Sequence, residues 1–122
     1  MHRFKFTSNP GSLQSGSDFV ANITLVKSKE QLLDQLSKRL ELPSYFGRNW
    51  DALDECLKDL HWINEKRVII VHHDMPKLEE RDLSVYLEVL QGAVAEWQCS
   101  ERHVLEVVFP EHARSTIEQR IV

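Results

Sequence analysis

Leu42-Pro43-Ser44-Tyr45-Phe46-Gly47-Arg48-Asn49-Trp50-Asp51-Ala52-Leu53-Asp54-Glu55-Cys56-Leu57 is a loop with a proline, two aromatics and a glycine that runs straight into a helix. Asn49 suits the cap of that helix, because its side chain can accept from a first-turn N–H. The spacing predicts a helix over about Trp50–Leu60. Leu53, Cys56, Leu57 and Leu60 form its apolar stripe and read as core. Asp51, Asp54 and Glu55 stand three and four residues apart and share the other side. Like charges placed so weaken an isolated helix by about a few tenths of a kcal/mol per pair. That cost points to a face kept for a positively charged partner, against the plain alternative of a solvated helix face.

Working back from this run, Ser28 followed by Gln31 makes a capping box, and Leu32, Leu33, Leu36 and Leu40 continue with helical spacing. A helix over Lys29–Glu41 follows, ended by Pro43. Before it, Phe19-Val20-Ala21-Asn22-Ile23-Thr24-Leu25-Val26 is a β-branched run and reads as a strand. Phe4 and Phe6 alternate with Lys5, a faint strand signal. Asn9-Pro10-Gly11-Ser12 and Ser15-Gly16-Ser17 read as a turn and a loop. Residues 1–17 are therefore an N-terminal arm, and 18–122 the domain.

Working forward, Arg67-Val68-Ile69-Ile70-Val71-His72 has consecutive apolar residues, the mark of a strand covered on both faces. Asp82 or Ser84 caps a longer helix to about Cys99, with Leu83, Tyr86, Leu87, Leu90, Val94 and Trp97 inward. Val104-Leu105-Glu106-Val107-Val108-Phe109 is a further strand, stopped by Pro110. Glu111–Val122 suits a short C-terminal helix around Ile117 and Ile121. Strands separated by helices pair in parallel through crossovers. The expectation is an α/β fold: a small parallel sheet of about three strands flanked by helices, with N- and C-terminal extensions.

The 122 residues suffice for one modest core, and the 42% apolar fraction argues against disorder. A net charge of −4 argues against direct, nonspecific nucleic-acid binding, which needs clustered Lys and Arg. An acidic patch instead attracts basic proteins. No apolar run at the N-terminus suits a secretory signal, and none reaches membrane-spanning length. A cytoplasmic protein with two reduced core thiols, Cys56 and Cys99, is the expected setting; a structural disulfide is the alternative.

The segment Leu42–Leu57 resembles the barstar family, small intracellular inhibitors of secreted bacterial ribonucleases. The matching residues are Leu42-Pro43, Tyr45-Phe46-Gly47, Asn49, Asp51-Ala52-Leu53 and Cys56-Leu57. The order of elements agrees, and the resemblance covers residues 19–109. It implies a parallel three-stranded sheet with helices, and an inhibitor or immunity protein rather than an enzyme, with no cofactor. It also implies that Tyr45 packs on a basic ribonuclease or nuclease-type toxin, and that Gly47 lets the loop approach closely. Asp51 and Glu55 would then face the catalytic cleft, Glu55 in place of the scissile phosphate. Three positions depart from the family pattern. Glu55 is one methylene longer than the usual Asp, Asp54 replaces an aromatic, and Arg48 reverses a charge. They point to a different cognate nuclease, or to a partner that is not a nuclease.

The partner-binding set is thus Tyr45, Gly47, Asn49, Asp51, Asp54 and Glu55, each with a plainer reading. Asn49 serves as a cap, Gly47 supplies positive φ, Phe46 is core, and Tyr45 is core or contact. Trp50 is expected to be partly buried, and Trp62 to be either an exposed contact or a cover over the sheet edge. Glu88 and Glu96 could extend the acidic surface. His72 and His73 point to opposite faces of a strand, so they suit structure better than a metal. Two other classes stand beside the inhibitor: a metal-dependent hydrolase using Asp51, Glu55 and a histidine such as His72, and an interaction module for some other basic protein.

Overall fold

The computed structural model describes residues 4–10 and 16–121. Residues 1–3, 11–15 and 122 lie outside it, and with them half of the turn at Asn9–Ser12 and part of the loop at Ser15–Ser17. The elements run β1 (Lys5–Thr7), β2 (Phe19–Ile23), α1 (Lys29–Arg39), α2 (Trp50–Asp59), β3 (Arg67–His72), α3 (Glu80–Trp97), β4 (Val104–Pro110) and α4 (Arg114–Ile121). A 3-10 turn, Glu111–Ala113, joins β4 to α4.

The sheet is parallel throughout, in the order β1-β4-β3-β2. It has four strands where the sequence predicts about three. The extra strand comes from the expected arm: Lys5 pairs with Val108 and Phe6 with Phe109, and Phe4 is buried against Phe109. Three residues carry too little periodicity to announce a strand. Pairing with β4 decides it.

Every residue of β3 from Val68 to His72 is buried. Val68 and Ile70 belong to the main core, while Ile69 and Val71 join Val108 in a second cluster. Since strand side chains alternate, the two clusters lie on opposite faces, which is why the apolar run is continuous. Across the second face, Arg67 on β3 binds Glu106 on β4 and Asp18 ahead of β2, and Lys5 on β1 also binds Glu106. The Glu106 carboxyl is held below its ordinary value mainly by the Arg67 guanidinium.

Helix α1 packs on β2, α3 packs on β4, and α2 lies mainly against α3. Among the helix ends that differ from expectation, the end of α1 and the start of α3 have a visible cause. α1 stops at Arg39 rather than Glu41 because Glu41 turns left-handed (φ 55°). Leu42 N–H then bonds Ser37 O (2.9 Å) and Glu41 N–H bonds Lys38 O (3.4 Å), a Schellman cap built without glycine. α3 begins at Glu80, ahead of the Asp82 or Ser84 cap expected, because Asp82 is engaged elsewhere: it accepts from the Trp50 indole (3.3 Å).

Candidate functional site

The loop 43–49 and α2 form one surface whose shape follows from local bonds. Phe46 N–H bonds Pro43 O (2.9 Å), closing a turn that buries Phe46 and leaves Tyr45 67% exposed. Asn49 caps α2 by accepting from Ala52 N–H (2.8 Å), and its amide donates to Gly47 O (3.3 Å). Positive φ falls on Arg48 (53°), not on Gly47 as expected. Gly47 is small for another reason: a Cβ there would sit 3.3 Å from the Asn49 amide nitrogen and 3.6 Å from Ala52 Cβ.

The C-terminal end of α2 is held by side chains from the far side of the fold. Last-turn carbonyls have no partner within a helix. Trp97 donates to Leu57 O (2.7 Å), Arg102 to Asp59 O, and the His103 imidazole bridges Leu60 O and Glu65 O (3.1 and 2.9 Å). With Trp50 tied to Asp82 at the other end, the helix is fixed before any partner arrives.

Fixing the helix sorts its carboxylates. Successive residues turn by about 100°, so Asp54 and Glu55 fall on opposite sides of Asp51. Asp51 and Glu55 are exposed, and among the described residues neither side chain has a hydrogen bond or ion pair. Asp54 turns toward α3 and is paired with Lys58 (3.2 Å). The three acids read as one patch in the sequence are therefore two open charges and one neutralised pair. Arg48, whose charge departs from the family pattern, is paired with Asp34 (3.3 Å) on α1.

Two hollows flank the helix. One, about 390 Å³, lies between α2 and α3 and is lined by Trp50, Asp51, Asp54, Lys58, Val85 and Glu88 among others; Glu88 thus joins the acidic surface. The other, about 210 Å³, is lined by Tyr45, Phe46, Ala52, Glu55, Cys56 and Asp59. Its chemistry is marked by the acids around it. Desolvation, then the charge of Asp59, pushes the Tyr45 hydroxyl above its ordinary value. Burial, then Asp59 and Glu55, pushes the Cys56 thiol up. Asp59 escaped the sequence reading, although it continues the spacing Asp51, Glu55 by one further turn.

Other singled-out residues fall away from this surface. Trp50 is partly buried as expected. Trp62 is partly buried too, its indole donating to Leu40 O (2.9 Å), which makes it a cover. Cys56 is buried and Cys99 exposed; both are free thiols, so Cys99 is not the core residue expected. His72 is fully buried, with Nδ1 bonded to Val108 O (2.9 Å), Nε2 to the Tyr86 hydroxyl (2.7 Å), and its ring stacked on Phe109. Both nitrogens are engaged, so His72 does not join Asp51 and Glu55 as a hydrolase would require. Among the described residues no group of three His, Cys, Asp or Glu is placed to hold a metal. His73 points the other way, to Asn22 (2.7 Å).

The architecture is that of a small parallel α/β domain whose α2 helix carries two charges, unpaired among the described residues, beside an exposed tyrosine. The chain belongs to the barstar family: the family model described as Barstar (barnase inhibitor) matches residues 17–110, two residues earlier and one later than the resemblance suggested. No curated protein sequence matches the chain.

Proposed function

We propose that this chain is a barstar-like inhibitor, or immunity protein, that binds a basic ribonuclease one to one and closes its active site with Tyr45, the loop to Asn49, and the outer face of α2. It has no catalytic role in this reading. The observation that carries it is the pair Asp51 and Glu55: one turn apart on a helix anchored at both ends, exposed, and without internal partners among the described residues. A ribonuclease cleft gathers Arg, Lys and His to hold a phosphate and its transition-state charge. Carboxylates on a rigid helix accept bidentate, charge-assisted bonds from the same groups. Asn49 and Gly47 set the approach of the loop, and Asp54 acts with Lys58 as a neutral pair at the edge.

The test is RNA cleavage by a basic ribonuclease, with barnase as the reference target. Cleavage is expected to fall in proportion to added inhibitor and to stop at equimolar amounts, while the Asp51→Ala/Glu55→Ala double variant fails to inhibit. Inhibition by that variant equal to the parent's would remove the acidic face from the reading.

A further inference from the structure

We infer that Asp59 is a further specificity residue of the proposed inhibitor, and that the hollow it shares with Tyr45 and Glu55 receives one arginine guanidinium of the partner. The inference rests on the reading of α2 as the binding face, and adds to it both a residue and the chemistry of the group received.

Geometry makes the first argument. Glu55 and Asp59 are four residues apart, so they stand on one side of α2 a turn apart and line the same wall of the hollow. Phe46 and Cys56, both nearly inaccessible, supply an apolar floor that strips water from a group entering it. Tyr45 forms the rim. A guanidinium fits these three surfaces together: its forked N–H donors match carboxylates, and its plane stacks on an aromatic ring. An ammonium shares only the charge.

Charge makes the second argument. The hollow toward α3 already contains its own cation, Lys58, paired with Asp54. The Tyr45 hollow has no Lys or Arg among its lining residues. The lining of the Tyr45 hollow therefore supplies no fixed cation of its own against Glu55 and Asp59. Asp59 is also fixed in place: His61 Nδ1 lies 2.9 Å from its carboxylate, and Arg102 holds its main-chain carbonyl. Burial does most to raise the Tyr45 and Cys56 ionisations, and the charge of Asp59 adds to both.

The experiment titrates L-argininamide, and separately L-lysinamide, into the full isotope-labelled chain and follows backbone amide shifts. Saturable shifts are expected at Tyr45, Glu55 and Asp59, larger for argininamide than for lysinamide. Asp59→Asn is expected to weaken argininamide binding about tenfold. Asp59→Glu should restore it in part, and Glu101→Gln should leave it unchanged. An unaltered overall spectrum for Asp59→Asn separates lost binding from lost structure. Shifts elsewhere on the surface, equal response to both amides, or indifference to Asp59→Asn would each overturn the inference. Because the probe is a small molecule, failure to inhibit any nuclease would fall on the functional reading alone.

Discussion

Trp97 donates its indole N–H to the main-chain carbonyl of Leu57 at 2.7 Å, tying the last turn of α3 to the last turn of α2. Trp97 is 6% exposed, so water cannot readily replace the bond. Trp97→Phe keeps the aromatic bulk and removes the donor, leaving a buried carbonyl unpaired. A stability loss of about 1–3 kcal/mol is expected, read as a lower urea midpoint at unchanged slope. If α2 owes its rigidity to this bond, amide exchange should quicken in residues 57–60 more than in α1. Uniform exchange across both helices would assign the anchoring of α2 to Arg102 and His103 instead.

Asp51 and Glu55 differ from Asp54 in having no internal cation, and their substitutions should differ accordingly. Against a ribonuclease partner, Asp51→Ala or Glu55→Ala is expected to weaken binding by about 2–5 kcal/mol, because a cationic group of the cleft is left desolvated and unpaired. The barnase–barstar pair is among the measured cases behind that range. Asp54→Ala should cost less, since Lys58 already offsets the Asp54 charge. The association rate should fall steeply with ionic strength for the parent protein and less so for the two variants. Calorimetry and stopped-flow mixing at two salt concentrations check both expectations.

Much of this arrangement was legible in the residues, and the exceptions have physical causes. α2, its Asn49 cap and its buried stripe are local, as are the Ser28 cap of α1 and the unbroken apolar run of β3. Those were readable because the deciding contacts lie within a few positions. β1 was not, because its pairing with β4 spans the whole chain. Asp54 reads with Asp51 and Glu55 as one acidic face, and the structure adds that it is paired with Lys58 four residues on. Trp97, Arg102 and His103 were invisible as anchors of α2, since nothing in their own neighbourhood names Leu57, Asp59 or Leu60 as partners. Asp59 was readable by spacing alone, yet only the hollow beside Tyr45 gives it a purpose.

Glu41 occupies the left-handed position that closes α1, at φ 55°. A β-carbon there is crowded, and glycine is the residue such caps favour. Glu41→Gly is expected to stabilise the protein by about 0.5–1 kcal/mol, the strain relieved exceeding the added freedom of the unfolded chain. The side chain is exposed, so no packing is lost. Thermal unfolding should shift upward, and binding through α2 should not change. A lower melting temperature would mean that the Glu41 side chain supports the cap.

Gly47 bears on the loop in the opposite sense. Its φ is ordinary, so alanine is not excluded by backbone strain; the obstacle is the Asn49 amide 3.3 Å from the added methyl group. Gly47→Ala is expected to displace that side chain from Ala52 N–H and cost about 1 kcal/mol, the usual worth of an N-cap. Asn49→Ala should cost a similar amount, and the double variant little more than either alone, because both remove the same bond. Additive losses in a double-mutant cycle would separate Gly47 from the cap.

His72 makes stability depend on pH in a defined direction. Burial pushes its imidazole down to about 4 from an ordinary value of 6.5, only partly offset by the bond to Val108 O. The folded protein therefore keeps the ring neutral where the unfolded chain already takes up a proton. A proton bound more readily by the unfolded state lowers stability as pH falls, so the contribution is complete above about pH 6.5 and drains away toward pH 4. The difference of about 2.5 pH units corresponds to about 3 kcal/mol at most. Neutrality also fixes the tautomer: Nδ1–H donates to Val108 O, and Nε2 accepts from the Tyr86 hydroxyl. His72→Gln retains a donor and an acceptor but cannot titrate. It should lower stability at pH 7 yet flatten the decline between pH 6.5 and 4, whereas carboxylates such as Glu106, held down by Arg67, contribute equally to both proteins and cancel in the comparison. Urea unfolding of the parent and His72→Gln at pH 7, 5.5 and 4 measures the difference directly. Parallel curves would place the pH response in the carboxylates and leave His72 as a packing residue.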